Sequence, residues 1–360
     1  MTRSAIFALV ALTGLACLFM WVRHRTLRRA TPDAASFEIV PESVSRARAA
    51  RALPTEGSEE ASHRLPPISL QGPPPQAASD DYPPDPVTDW VIEIDLPPGL
   101  TLSGKAVQAV FSQQWLREHG GAVIHGFVPH TNAWTYVGAG DAPEPYSKVA
   151  LAKSLAHTDH LSAVELTSML ESAVKRAAAW PHATVSSPEP PAAAAARATR
   201  LRTLQREFDL AVTITLRAPA GSRFEGRLVW DVMLSLGLQW GDMDLFHWRN
   251  DTGVGDDSWF MVATSTAPGY FLPEQIAAGQ VQVEDLLFSF SVPRSASPAA
   301  ALDRMFAAAS YAQSRLGGRI VAGRQSSFDL TAARRDLARV EEALVKAGFP
   351  PGADQTLRLF

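Results

Sequence analysis

The sequence predicts an α+β protein, an antiparallel sheet with helices on one face, present in one or two copies behind a single N-terminal transmembrane helix. Three features carry this: strand-like alternating runs interrupted irregularly by amphipathic helical stretches, one long charge-free run at the N-terminus, and a proline-rich segment between them. With 360 residues, 46% hydrophobic and 19% charged, the chain can bury a substantial core, and its length suggests two folded units. A net charge of -4 gives no global attraction to phosphate backbones, so nucleic acid is not an expected partner. The single cysteine, Cys17, excludes an intramolecular disulfide framework or a multi-thiolate metal site.

Ser4 to Val22 carry no charge and would cover about 28 Å as a helix, close to one hydrocarbon core. Arg3 alone precedes the run, whereas Arg23, Arg25, Arg28 and Arg29 follow it. The positive-inside bias therefore predicts a single-pass inner-membrane protein, with its N-terminus periplasmic and its C-terminal domains cytoplasmic. Trp21 fits an interfacial anchor beside the arginines. A cleaved signal would show basic residues before a shorter apolar core, which is the reverse of this charge order. Residues 1-29 are thus read as anchor and basic flank.

Residues 30-86 are rich in Pro, Ser, Ala and Glu, without apolar periodicity, and read as a disordered tether. A first α+β unit is expected over 87-180, a linker and lead-in helix over 181-207, and a second, clearer unit over 208-350. In the second unit, Leu210 to Leu216 alternate as a half-buried strand does. Leu228, Val229, Val232, Met233 and Leu236 then recur at helical spacing before Gly237. Further strands are expected in WGDMDLFHW, SWFMVAT and LLFSFSV. A helix should run from about Ala299 to Leu316, and a last one from a Thr331 cap to Gly348, with Leu337, Val340, Leu344 and Val345 inward.

The first unit repeats this order more weakly. Asp89 to Leu96 correspond to Asp209 to Leu216; Gly104, Val107 and Val110 correspond to Gly226, Val229 and Val232; WTYV at 134-137 echoes WFMV at 259-262. Either the domain is duplicated and its first copy has diverged, or two α+β units share amphipathic periods by coincidence.

No nucleophile elbow, phosphate-cradling glycine loop or Ser/His/Asp order is present, so the chain reads as a non-enzymatic binding module without cofactors. His157, Asp159 and His160 offer two imidazoles and a carboxylate, but no third ligand segment accompanies them, and they read as a solvated helix start. His125 and His130 read as turn caps, not bases.

From about Asp209 to Gly348 the second unit resembles the C-terminal FtsZ-binding domain of the ZipA family. The resemblance rests on GDMDLFHW at 241-248, WFMVAT at 259-264, PGYF at 268-271, FSVP at 290-293, Gly317 with Gly318, and Leu330 with Thr331. It implies a split β-α-β fold whose exposed sheet face holds a shallow apolar groove for the C-terminal tail of FtsZ, by helix-in-groove recognition. Carried over strand by strand, the implied partner-binding residues are Ala211 and Thr213, Met243 and Leu245, Ala263 and Ser265, and Leu287 and Ser289. Ala211 and Ser289 are smaller or more polar than the family groove implies, so either Met243, Leu245 and Leu287 carry more of the anchoring or the register at Phe288 to Phe290 shifts by one. The function implied is an adaptor tethering the division ring to the inner membrane; the alternative is a membrane-tethered scaffold of the same fold with a different division or envelope partner.

Overall fold

The computed structural model describes residues 64-68, 70, 81-139, 142-156, 161-322 and 326-360. The expected span at Ser4-Val22, with Trp21, Arg23, Arg25, Arg28 and Arg29, lies outside them, as do His157, Asp159 and His160. Among the described residues, no helix is long and apolar enough to cross a membrane. The described residues form two compact units, one from 81-207 with 354-360, the other from 208-353 with 64-68 and 70.

In the first unit, β1 (Asp89–Asp95) is followed by helices α1 (Gly104–Val110) and α2 (Gln113–Glu118), then by strands β2 (Val123–Val128), β3 (Ala133–Tyr136) and β4 (Lys148–Ser154). Helix α3 (Ala163–Ala177), strand β5 (Thr184–Ser186) and helix α4 (Pro191–Phe208) complete it. The five-stranded sheet runs β3-β2-β4-β1-β5. Alternation in β1 sends Trp90, Ile92 and Ile94 fully inward, and Ser162 opens α3 with a capping box to Glu165.

The stretch 181-207, read as linker and lead-in helix, is built into this unit and does form a helix. Ala194, Ala198 and Leu201 of α4 are buried, and Arg197 donates to the carbonyls of Val87 (2.6 Å) and Asp89 (3.0 Å) while pairing with Glu189. Its alanines bury little area each, so the helix shows no strong apolar stripe in sequence. The C-terminal helix Asp354–Leu359, absent from the sequence reading, also belongs here: Leu359 is fully buried and its carbonyl accepts from Gln205.

The second unit opens with β6 (Ala211–Arg217), β7 (Phe224–Glu225) and α5 (Gly226–Ser235). Strands β8 (Gln239–Trp240), β9 (Phe246–Arg249) and β10 (Ser258–Ala263) follow, then α6 (Pro273–Ala277), β11 (Gln282–Val283) and β12 (Asp285–Ser291). Helix α7 (Pro298–Leu316), strands β13 (Arg319–Ala322) and β14 (Ser326–Ser327), and helix α8 (Leu330–Lys346) close it. Its main sheet runs β14-β13-β6-β12-β10-β9-β8, antiparallel throughout. The α+β class with antiparallel sheets is therefore as expected. Gly317 ends α7 at φ 76, and Gly348, at φ 87, follows α8.

Some details differ from expectation. Asp329, not Thr331, caps α8, because its carboxylate accepts from the N–H groups of Thr331 and Ala332. Leu228 and Val345, counted as inward, are 41% and 55% exposed, since each lies at the margin of its helical stripe. His125 sits within β2, where it is buried and hydrogen-bonded to the Tyr82 carbonyl; it caps no turn.

Each sheet has an interior first strand, β1 or β6, that leads to a glycine-initiated helix, with Val107 and Val229 fully buried at matching places. Their hairpins are inserted in opposite order, however. In the first unit the leading hairpin strand, β2, adjoins β4; in the second the trailing strand, β10, adjoins β12. WTYV therefore lies on the outer strand of its hairpin, and WFMV lies on the inner one. Period-2 alternation marks a strand without naming its neighbour, so the echo in sequence did not carry this difference.

Candidate functional site

Register fixes which residues of the second sheet share a face. Phe246, Val262, Phe288 and Ile214 lie opposite one another across β9, β10, β12 and β6. All four are fully buried, and Trp230 of α5 meets Phe246 edge-on at 5.0 Å. This is the helix-packed face. Phe290 lies on it too, and Ser289 between the two phenylalanines points the other way, so the register at Phe288 to Phe290 is not shifted.

The opposite face is built in rows. Ala263, Leu287, Thr215 and Val321 pair successively across β10, β12, β6 and β13. Leu245, extended at φ -108 and ψ 164 just before β9, continues this row beside Ala263. The next row holds Gln239, His247, Met261, Ser289 and Thr213. Beyond it, Ala211 pairs with Ser291. Leu245, Ala263, Thr215 and Val321 are buried, whereas Ala211, Thr213, Leu287, Ser289, Met261 and His247 are half-buried. The accessible strip is thus a band of small, polar and methionine side chains beside Leu287.

Six of the eight sequence-selected residues therefore share this face: Ala211, Thr213, Leu245, Ala263, Leu287 and Ser289. The remaining two lie outside the strands. Met243 lies in a single 3-10 turn, Asp242–Asp244, at φ 58 and ψ 20, half-buried. The alternation read through GDMDLF is broken there, because Gly241 N–H bonds to the Leu245 carbonyl and closes a tight reversal. Ser265 lies past the end of β10 and is exposed; its N–H (2.7 Å) and hydroxyl (2.5 Å) donate to the Asp285 carboxylate. Thr264 donates to the same group, which is itself buried. Asp285 thus ties the β10 exit to the start of β12 and fixes Ala263 against Leu287.

Met261, His247 and Thr215 were not selected from sequence, although counting back by twos from Ala263 yields Met261 once the hairpin register is known. His247 Nε2 lies 2.8 Å from the Asp242 carbonyl, which can only accept, so Nε2 carries the proton. The ring's Nδ1 lies 3.2 Å from the Ser258 hydroxyl of β10. The first bond holds the turn bearing Met243 against β9, and the second ties β9 to β10. Burial, and then the charge of Glu274, push the Asp244 carboxyl above its ordinary value. Trp240, Trp248 and Trp259 act as packing: Trp240 donates to the Phe271 carbonyl, and the other two are buried. Among the described residues no cluster of His, Cys, Asp or Glu could hold a metal ion.

Fold and face together define a two-layer α+β domain, with helices on one side of an antiparallel sheet and a mixed apolar strip on the other. Within that class, residues 211–339 match the family described as "ZipA, C-terminal FtsZ-binding domain", and the resemblance carried by GDMDLFHW and WFMVAT is borne out. The chain is similar to Cell division protein ZipA of Actinobacillus succinogenes, 29% identical over 123 residues, 34% of this chain and 35% of that protein. It is similar also to those of Marinobacter nauticus (27% over 115 residues, 32% and 33%) and Pseudomonas fluorescens (29% over 116 residues, 32% and 39%). The chain spans about a third of the length of the curated relatives it matches.

Proposed function

We propose that this chain is a cell-division adaptor whose second unit binds the C-terminal tail of FtsZ. The single observation supporting it is the match of residues 211–339 to an FtsZ-binding domain family, on a domain whose register gathers Leu245, Ala263 and Leu287 in one row. A short amphipathic segment laid along this face would cover Leu287, Met261 and the small side chains of Ala211, Thr213 and Ser289. Met243, before β9, and Ser265, after β10, would both flank the end of the strip marked by Leu245 and Ala263. Binding of this kind requires burial of apolar area and no catalytic group, in keeping with a non-enzymatic role without cofactors.

The same proposal gives Ser4–Val22 the part of a single inner-membrane span, with Trp21, Arg23, Arg25, Arg28 and Arg29 at the cytoplasmic interface, residues 30-86 as tether, and both α+β units in the cytoplasm. Weak individual contacts then suffice, because a polymer presents many tails to many tethered domains. The small side chains at Ala211 and Ser289 favour one second reading: the same fold on the same tether, gripping a different division or envelope protein.

Pull-down of full-length FtsZ and tail-truncated FtsZ on the detergent-solubilised full chain separates these readings. The proposal expects capture of the first and loss of the second. Equal recovery of both, or of neither, overturns it.

A further inference from the structure

Arg64 to Ile68 belong to the proline-rich stretch whose composition reads as a tether, yet they are seated on the second unit. Leu65 is only 8% exposed, and its N–H donates to the Leu236 carbonyl at 3.1 Å. Leu236 is the C-cap of α5, at a helix end whose carbonyls have no partners within their own helix. The strap thus supplies a donor where the helix needs one. Pro67 and Ile68 continue from this anchor and, with Ala300, Asp303 and Arg304 of α7, line a cleft of about 480 Å³. Two consecutive prolines keep the segment extended and lower the conformational cost of docking it.

We infer that the helix side of the second unit carries a peptide-binding site, distinct from the sheet face, that takes an extended leucine-proline-proline-isoleucine segment and is filled in cis by this chain's own Leu65–Ile68. The site reads one buried leucine, one backbone N–H and the prolines behind it. Its consequence is topological: the path from the N-terminus reaches the second unit at residue 64, before the chain enters the first unit, so residues 74-207 are not in series between the two. The inference does not rest on FtsZ binding.

Hydrogen exchange on the full chain in detergent tests it. Leu65→Asp, which puts a carboxylate in the leucine seat, should speed exchange of the residue-65 amide by about tenfold or more while leaving the β6 and β12 amides unchanged, and Leu65→Pro, which removes the N–H donor, should open the same seat. A fluorescent RLPPIS peptide should then bind the Leu65→Asp chain more tightly than the wild type, whose site is occupied. Affinity for FtsZ tail should be the same in all three. Equal exchange of the residue-65 amide in wild type and Leu65→Asp, or equal binding of the peptide to wild type and both variants, overturns the inference, as does protection that grows with protein concentration, which would assign the strap to a second copy.

Discussion

Leu287 and Phe288 are neighbours in β12 that face opposite ways, and this makes opposite demands on two substitutions. Leu287 is half-buried on the strip, paired with Ala263 and Thr215; Phe288 is fully buried beneath the helices. Truncating Leu287 to alanine removes three carbon atoms, worth about 0.8 kcal/mol each when fully buried. With about half of that surface already covered in the free chain, roughly 1 to 1.5 kcal/mol is left for a bound peptide to gain, or about five- to twelvefold in affinity. Phe288→Ala instead opens a cavity and should cost about 3 to 5 kcal/mol of stability. Fluorescence anisotropy with labelled FtsZ tail, beside denaturant unfolding of the same full-length samples, reads both quantities. Leu287→Ala should weaken binding by that factor while costing only about 1 kcal/mol of stability, and Phe288→Ala should cost several kcal/mol with affinity retained wherever the fold is. Unchanged affinity in Leu287→Ala would refute the assignment of the strip.

Other consequences can be checked separately. Asp285→Asn leaves the donors of Thr264 and Ser265 a weaker acceptor, and should cost about 1 to 3 kcal/mol in denaturant titration and loosen exchange at the β10 exit. Met243→Gly relieves a left-handed residue at φ 58 and should raise the unfolding midpoint by the equivalent of up to about 1 kcal/mol at constant m-value, whatever it does to binding. Gly126→Ala would set a Cβ 2.6 Å from Cγ of the buried Tyr146, and should destabilise the first unit by about 1 to 3 kcal/mol, read as an earlier thermal transition. Burial holds the His125 imidazole below its ordinary value, with the Tyr82 carbonyl acting in the opposite direction. The unfolded chain then binds a proton that the folded one refuses. Stability from this site is therefore present above about pH 6.5 and lost as pH falls through that value towards the lowered one. Melting at about pH 7.5 and 5.5 should show that loss in the wild type and less of it in His125→Gln.

Where side-chain period and a terminating glycine agree, the sequence carried the element. Helix α5 before Gly237 and helix α7 before Gly317 follow that pattern, and in strand β12 the alternation Phe288-Ser289-Phe290 set the two faces without knowledge of a partner strand. The pattern is silent where a tight turn interrupts it. Met243 has the neighbours of a strand residue, but the reversal at Gly241 is fixed by a backbone hydrogen bond that composition does not record. Leu65 was hidden for a related reason: its burial needs one leucine and one N–H, too little to produce a periodic signal among prolines. Arg197 and the alanines of α4 likewise hold the first unit through backbone carbonyls and close approach, which hydropathy does not register. The hairpin order in the first sheet depends on pairing between distant segments, and local sequence gives strands without neighbours.

The most direct measurement of the central claim is a hydrogen-exchange footprint of FtsZ tail peptide on the full-length chain. Slowed exchange should map to β10, β12 and the Met243 turn, leaving α7 and α8 as they were. Protection on the helices, or none at saturating peptide, would contradict a sheet face built to hold that tail.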